Sequence, residues 1–340
     1  MRHPTALLLC LAATLAPSCR SEDELSGEER ERHLEIYTET AQQFLQMGEL
    51  DRAEGQVQKG LALDPDSVKL RMIYGWTLIR RGRPADVLGA EKLFRDLLDI
   101  GDYRATLGLA TALERKGVAQ SEASVDIRSG KRVTEASDPA ARADELVAES
   151  IVSWNESVAL YEKTLTQRPG DVDAQNGTMR VRALLGESER SLAAADAMIG
   201  SLETDLEFWK QRLLRPDISE GEEQRFRKLI RQQTELLVNA RLHASSVLWE
   251  LERPAEAAAH LDAALAVDPE RVELLGRRAE VRKSLGRYEE AIEDLRAFLR
   301  QTDKPFEHPD VKRAWRLEAE CSEALREQRF AQPGAKPGGS

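Results

Sequence analysis

The sequence predicts an all-α chain, and three observations carry that reading. Ala, Leu, Glu and Arg dominate its 340 residues while β-branched residues are thinly spread, which favours helix over strand. A pattern of small, aromatic and apolar residues returns about every 34 residues, the period of stacked helix pairs. Two further stretches space their apolar residues alternately three and four apart, the seam of paired helices. Hydrophobic residues make up 41 % of the chain and aromatic residues only 5 %. Such a chain has material for a core but few large rings to fill it. The balance of 49 Lys and Arg against 60 Asp and Glu gives a net charge of −11. With no basic stripe to neutralise phosphates, nucleic acid is set aside as a partner. Three cysteines cannot build a disulfide framework.

The N-terminus reads as a processing segment. Arg2 and His3 precede an apolar run over 6–16, too short for about 30 Å of hydrocarbon but suited to a secretory signal. Ser18 before Cys19 resembles the bacterial lipobox, although Ala16 stands where leucine is usual. That resemblance implies a signal over 1–18, lipid attached at Cys19 and a short linker over 19–33. Arg20, where retention in the inner membrane would call for aspartate, implies an outer-membrane lipoprotein facing the periplasm. An ordinary secretory signal with cleavage near the same point is the alternative. Cys321, then without a partner in the chain, is expected to be buried on a helix.

From Leu34 onward, Ala41, Phe44, Gly48, Ala53, Gly60 and Pro65 fall on one 34-residue pattern. Small residues at such positions let helices approach, Gly48 permits the turn, and Pro65 ends the second helix. The window from Val238 places Leu248, Ala257, Leu261, Ala264 and Pro269 on the same pattern. The next, from Val272, places Ala279, Leu285, Gly286, Tyr288, Ala291, Leu295 and Phe298 there. This run of residues resembles the tetratricopeptide-repeat (TPR) family. The resemblance implies a TPR-type α-solenoid of about six helix pairs. It implies TPR-like repeats over 34–117, of which those from Val68 onward are degenerate, TPR repeats over 238–305, and a degenerate repeat region with extended helices over 139–237. A helix over 306–330 caps the array, because a terminal repeat needs a solvent-tolerant outer face. The residues over 331–340 read as a disordered tail.

Two departures stand out from the repeat. Residues 118–138, rich in Ser, Ala and charge, read as a flexible insertion. In the second, Leu192, Ala195, Ile199, Leu202, Leu206, Trp209 and Leu213 form one seam, a break follows at 215–219, and a long helix runs on to about Leu251. These predict an extended helical hairpin over 187–251 that either protrudes or packs back on its neighbours.

The search for chemistry is negative. His3, His33, His243, His260 and His308 have no His or Cys partner at metal-ligand spacing. No phosphate loop, Gly-x-Ser-x-Gly elbow or Ser-x-x-Lys occurs, so neither a catalytic residue, nor a metal, nor a cofactor is assigned. The resemblance instead implies a groove lined by the first helix of each repeat. Carried over position by position, it holds Glu39, Gln42, Met72, Trp76, Arg80, Thr111, Arg115, Asn176, Arg180, His243, Ser246 and Trp249. Trp76 and Trp249 are the strongest candidates, because Trp offers a large amphipathic anchor. The expectation is a non-catalytic, lipid-anchored scaffold for proteins or peptides of the bacterial cell envelope. Assembly of an outer-membrane, pilus or export complex would suit it. A soluble periplasmic or secreted binding module, or a regulatory subunit of an envelope enzyme, is the alternative.

Overall fold

The computed structural model describes residues 26–331, all of whose regular structure is helical. The signal, Cys19 and all of the 331–340 tail except Ala331, which ends the last helix, lie outside the described residues. Two compact units divide between Arg81 and Gly82.

The first unit holds α1 (Gly27–Met47), α2 (Leu50–Leu63) and α3 (Val68–Arg81). The helix α1 starts before the first repeat window because Ser26 and Glu29 form a reciprocal capping box. It stops at Gly48, whose φ of 80° is a left-handed conformation that only glycine adopts cheaply. Ala41, Val57, Leu70 and Ile73 form the core. A Cβ on Gly60 would lie 2.4 Å from Leu70 Cδ1, so glycine is what lets α2 and α3 touch.

The second unit holds α4 (Pro84–Asp96), α5 (Tyr103–Arg128), α6 (Pro139–Gln167), α7 (Val172–Leu184), α8 (Ser188–Leu213) and α9 (Glu220–Glu250). It continues through α10 (Pro254–Val267), α11 (Glu273–Ser284), α12 (Tyr288–Gln301) and α13 (Pro309–Ala331). Each helix from α4 onward packs on the next, and one apolar core runs from Met179 on α7 to Cys321 on α13. Cys321 is a free, fully buried thiol whose pKa burial pushes up.

Three of the scarce aromatic residues each pack opposite a glycine. Phe94 of α4 lies against Gly108 of α5, Trp154 of α6 against Gly117 of α5, and Tyr161 of α6 against Gly177 of α7. A Cβ at those glycines would sit 2.4, 2.5 and 2.2 Å from the facing ring. One ring per helix contact is enough when the opposite helix has no side chain there.

The segment over 118–138 differs from its expected flexible loop. As far as Arg128 it continues α5, and only 129–138 is irregular. Tertiary packing overrides the polar composition: Ala123 and Ser124 are buried on a face that meets α6. Asp138 then opens α6 by accepting from the N–H groups of Ala140 and Ala141, with Pro139 in the first turn.

The extended hairpin is α8 and α9, of 26 and 31 residues against 14 in α10 and α12. At 1.5 Å per residue α8 and α9 run about 39 and 46 Å. A second capping box, Ser219 with Glu222, restarts the chain after the break. The seam residues Leu192, Ala195, Ile199, Leu202 and Leu206 are buried against α9 and α7.

Candidate functional site

The first helices α5, α7 and α9 of the second unit are tied together by buried polar groups. Glu114 of α5, itself buried, accepts two hydrogen bonds from Arg180 of α7, Nε to Oε1 at 2.7 Å and Nη2 to Oε2 at 2.9 Å. This fork geometry is the strongest form of a guanidinium–carboxylate contact. Tyr161 of α6 donates its hydroxyl to Glu114 Oε2 at 2.7 Å and lies 3.2 Å from Thr111 Oγ1. Burial, and then the Glu114 charge, hold the phenol pKa well above its usual range, so Tyr161 is a fixed donor.

A second link joins α7, α8 and α9. Ser191 of α8 donates to the Met179 carbonyl at 2.8 Å and meets His243 Nε2 of α9 at 2.8 Å. The single hydroxyl proton is spent on Met179, so Nε2 carries the proton donated to Ser191. Burial, and then the nearby Arg180 charge, lower the His243 pKa and keep the ring neutral near pH 7.

Arg180 and His243 are therefore neighbours, and their main roles are structural. Other positions on α5, α7 and α9 carry uncommitted groups. Asn176, one turn before Arg180 on α7, makes no side-chain hydrogen bond among the described residues, and neither does Arg180 Nη1. Arg115 is exposed beside Glu114 and makes no ion pair there. Trp249 is 46 % exposed although Val247 and Leu248 beside it are buried. Ser246 is spent on the Leu242 carbonyl, and Thr111 on that of Leu107.

The first-unit candidates divide differently. Met72 is 6 % exposed and belongs to the core, which corrects its place in the groove: its neighbours Leu70 and Ile73 bury the same stretch of α3. Trp76 is half-buried on α3. Arg80 is exposed and donates to the Leu45 carbonyl, capping the end of α1. Glu39 and Gln42 are exposed on α1.

The tetratricopeptide-repeat family model matches residues 38–105, 243–306 and 277–329. Those residues carry tetratricopeptide repeats. Among solved structures it is similar to that of Pseudomonas aeruginosa pilF, at 11 % identity over 89 % of this chain and 95 % of that one, with a TM-score of 0.38. It is also similar to the S. pombe nuclear import adaptor Nro1, at 13 % identity over 86 % and 99 %, TM-score 0.49. YrrB, a TPR protein with an unusual peptide-binding site, is similar at 15 % identity over 64 % and 95 %, TM-score 0.34. No curated protein matches the sequence.

The sequence pattern names several candidates on these helices but not the residues that organise them. Glu114, Tyr161 and Ser191 lie between candidate residues and hold them in place. Their pairings join residues 47 to 66 apart in sequence, so no local spacing announces them. Among the described residues no group of three or more His, Cys, Asp or Glu side chains is placed to hold a metal ion. A cleft of about 660 Å³ lies away from this face. It is floored by Val87, Leu88, Ala123 and Leu146 and edged by the loop over 129–138.

Proposed function

We propose that the first-helix face of α5, α7 and α9 binds an extended segment of a partner protein, so that the chain acts as a non-catalytic scaffold. The observation that carries this reading is the exposure of Trp249, a large apolar ring left in water beside fully buried neighbours. Arg115, Asn176 and Arg180 Nη1 supply donors for the backbone carbonyls or carboxylates of such a segment. Glu114 and Tyr161 pre-organise Arg180, which limits the side-chain freedom lost on binding. The scaffold belongs to the bacterial cell envelope, held by lipid on Cys19 in the outer membrane and facing the periplasm. There it assists assembly of an outer-membrane, pilus or export complex. This part of the reading rests on the sequence around Ser18 and Cys19.

Each part has its own test. Trp249→Ala should weaken capture of a partner peptide or protein by ten-fold or more, the usual size of an anchor's contribution of about 2 kcal/mol. Its helical melting transition should stay near that of the parent, because half of the ring already faces water. A lost fold would show that Trp249 is a core residue instead. For the anchor, labelled fatty acid should enter the parent chain and not Cys19→Ser, and only the parent should stay on membranes through a high-salt wash.

A further inference from the structure

The distal part of the α8–α9 hairpin is apolar, basic and uncovered. Burial along the seam ends at Leu206 on α8 and resumes only at Leu237 on α9; no residue over 207–236 is buried. In that interval Phe208 is 47 % and Leu214 76 % exposed, and Leu213, Ile218 and Phe226 are half-buried. Phe208 meets Trp209 edge-on at 4.8 Å between ring centroids, and Trp209 meets Phe226 of the facing helix at 5.5 Å. The rings of both helices thus stand at one level near the tip.

The flanks of this tip carry charge opposite to that of the chain, while the turn itself sets Arg215 among Asp217, Glu220, Glu222 and Glu223. Residues 208–231 hold seven basic and four acidic side chains, within a chain of net charge −11. Two of the four acids are paired: Asp217 with Arg215 at 2.7 Å and Glu223 with Arg227 at 2.7 Å. Glu222 closes the capping box with Ser219. Lys210, Arg225, Lys228 and Arg231 make no ion pair among the described residues, and Arg212 lies over the Phe208 ring at 5.0 Å.

Rings and aliphatic residues ringed by unpaired Lys and Arg are the composition of a segment that lies in a membrane interface. The geometry agrees. From Phe208 to Leu214 is about 9 Å of helix, within the about 5–10 Å to which interfacial segments sink. Long basic side chains can keep their charge among headgroups while their stems line the apolar band. Approached end-on, two helices of about 10 Å diameter offer far less than the roughly 800 Å² per partner of a stable protein interface. No described helix is long and apolar enough to cross a membrane, so the contact is superficial.

We propose that the hairpin tip inserts Phe208, Trp209, Leu214 and Ile218 into the surface of an anionic lipid membrane, held there by Lys210, Arg225, Lys228 and Arg231. This contact is separate from lipid on Cys19 and from the first-helix face, so either can fail without the other.

The test floats the full chain carrying Cys19→Ser with vesicles of phosphatidylcholine alone, or of equimolar phosphatidylcholine and phosphatidylglycerol. It compares that chain with two double variants, Phe208→Ser/Leu214→Ser and Lys210→Glu/Lys228→Glu. The apolar run over 6–16 is common to all three, so differences report the tip. The expected result is salt-sensitive flotation with the phosphatidylglycerol vesicles, weakened about ten-fold or more in each double variant. Unchanged helical melting checks the fold; should Phe208→Ser disturb it, Leu214→Ser alone decides, since that side chain is 76 % exposed. Equal flotation of variants and parent, flotation indifferent to phosphatidylglycerol, or a tip that crosslinks to an acidic soluble protein while vesicles stay unbound overturns the proposal.

Discussion

Glu252 shows how a single residue can depart from the logic of its repeat. The turns after α1, α7 and α11 place Gly48, Gly186 and Gly286 in the left-handed region, and the turn after α9 places Glu252 there, at φ 58°. A side chain in that conformation costs about 1–2 kcal/mol, partly offset by the greater unfolded-state freedom of a glycine. Glu252→Gly should therefore raise stability by about 0.5–1 kcal/mol, read as a higher urea midpoint with an unchanged slope. His243 gives a prediction of a different kind. Burial holds its folded-state pKa below the unfolded value of about 6.5. Above that value both states are neutral; as pH falls through it, the unfolded chain takes up the proton first and stability declines toward the folded-state pKa. His260, likewise lowered by burial, adds to the same window. His243→Gln keeps a donor for Ser191 but does not titrate, so its melting temperature should fall less between pH 7 and acid than that of the parent. An equal fall would show that His243 plays no part in the acid loss.

At the scale of the helix, what the sequence made legible was periodicity. The spacing of Leu192, Ala195, Ile199, Leu202 and Leu206 marked the buried seam of α8, and Arg215 to Ser219 marked its break. The extension of α5 through 118–128 was not legible, because its polar residues mask a face that only α6 makes worth burying. Pairs such as Glu114 with Arg180 were equally hidden, since each partner alone looks like one more charge on a solvated helix. The glycine–ring contacts lay between these extremes: small positions followed from the repeat, but not which ring would face each. Gly177→Ala tests that packing, because its Cβ would come within 2.2 Å of the Tyr161 ring, which is 1 % exposed. The overpacking should cost about 1–3 kcal/mol, and the shifted ring should weaken the bond to Glu114. A calorimetric melting temperature equal to that of the parent would mean that α6 and α7 separate freely.

For the whole molecule, the −11 charge says less about partners than its distribution does. Arg and Glu alternate along most helices and satisfy each other, as Arg278 and Arg282 do around the buried Asp294 on α12. Two sets of the groups left over concern binding. One is the first-helix face, with Arg115, Asn176 and Trp249; the other is the hairpin tip, with its basic collar. A scaffold that must hold a protein partner near a membrane needs two such surfaces and no catalytic centre. The first-helix face is the central claim, and photocrosslinking in living cells tests it most directly. A photoreactive residue replacing Trp249 is compared with one replacing the exposed Ala259 on α10. The account predicts a discrete protein adduct from position 249 that Asn176→Ala diminishes and that position 259 does not form. The same adducts from both positions, or none from 249 in a folded protein, would contradict it.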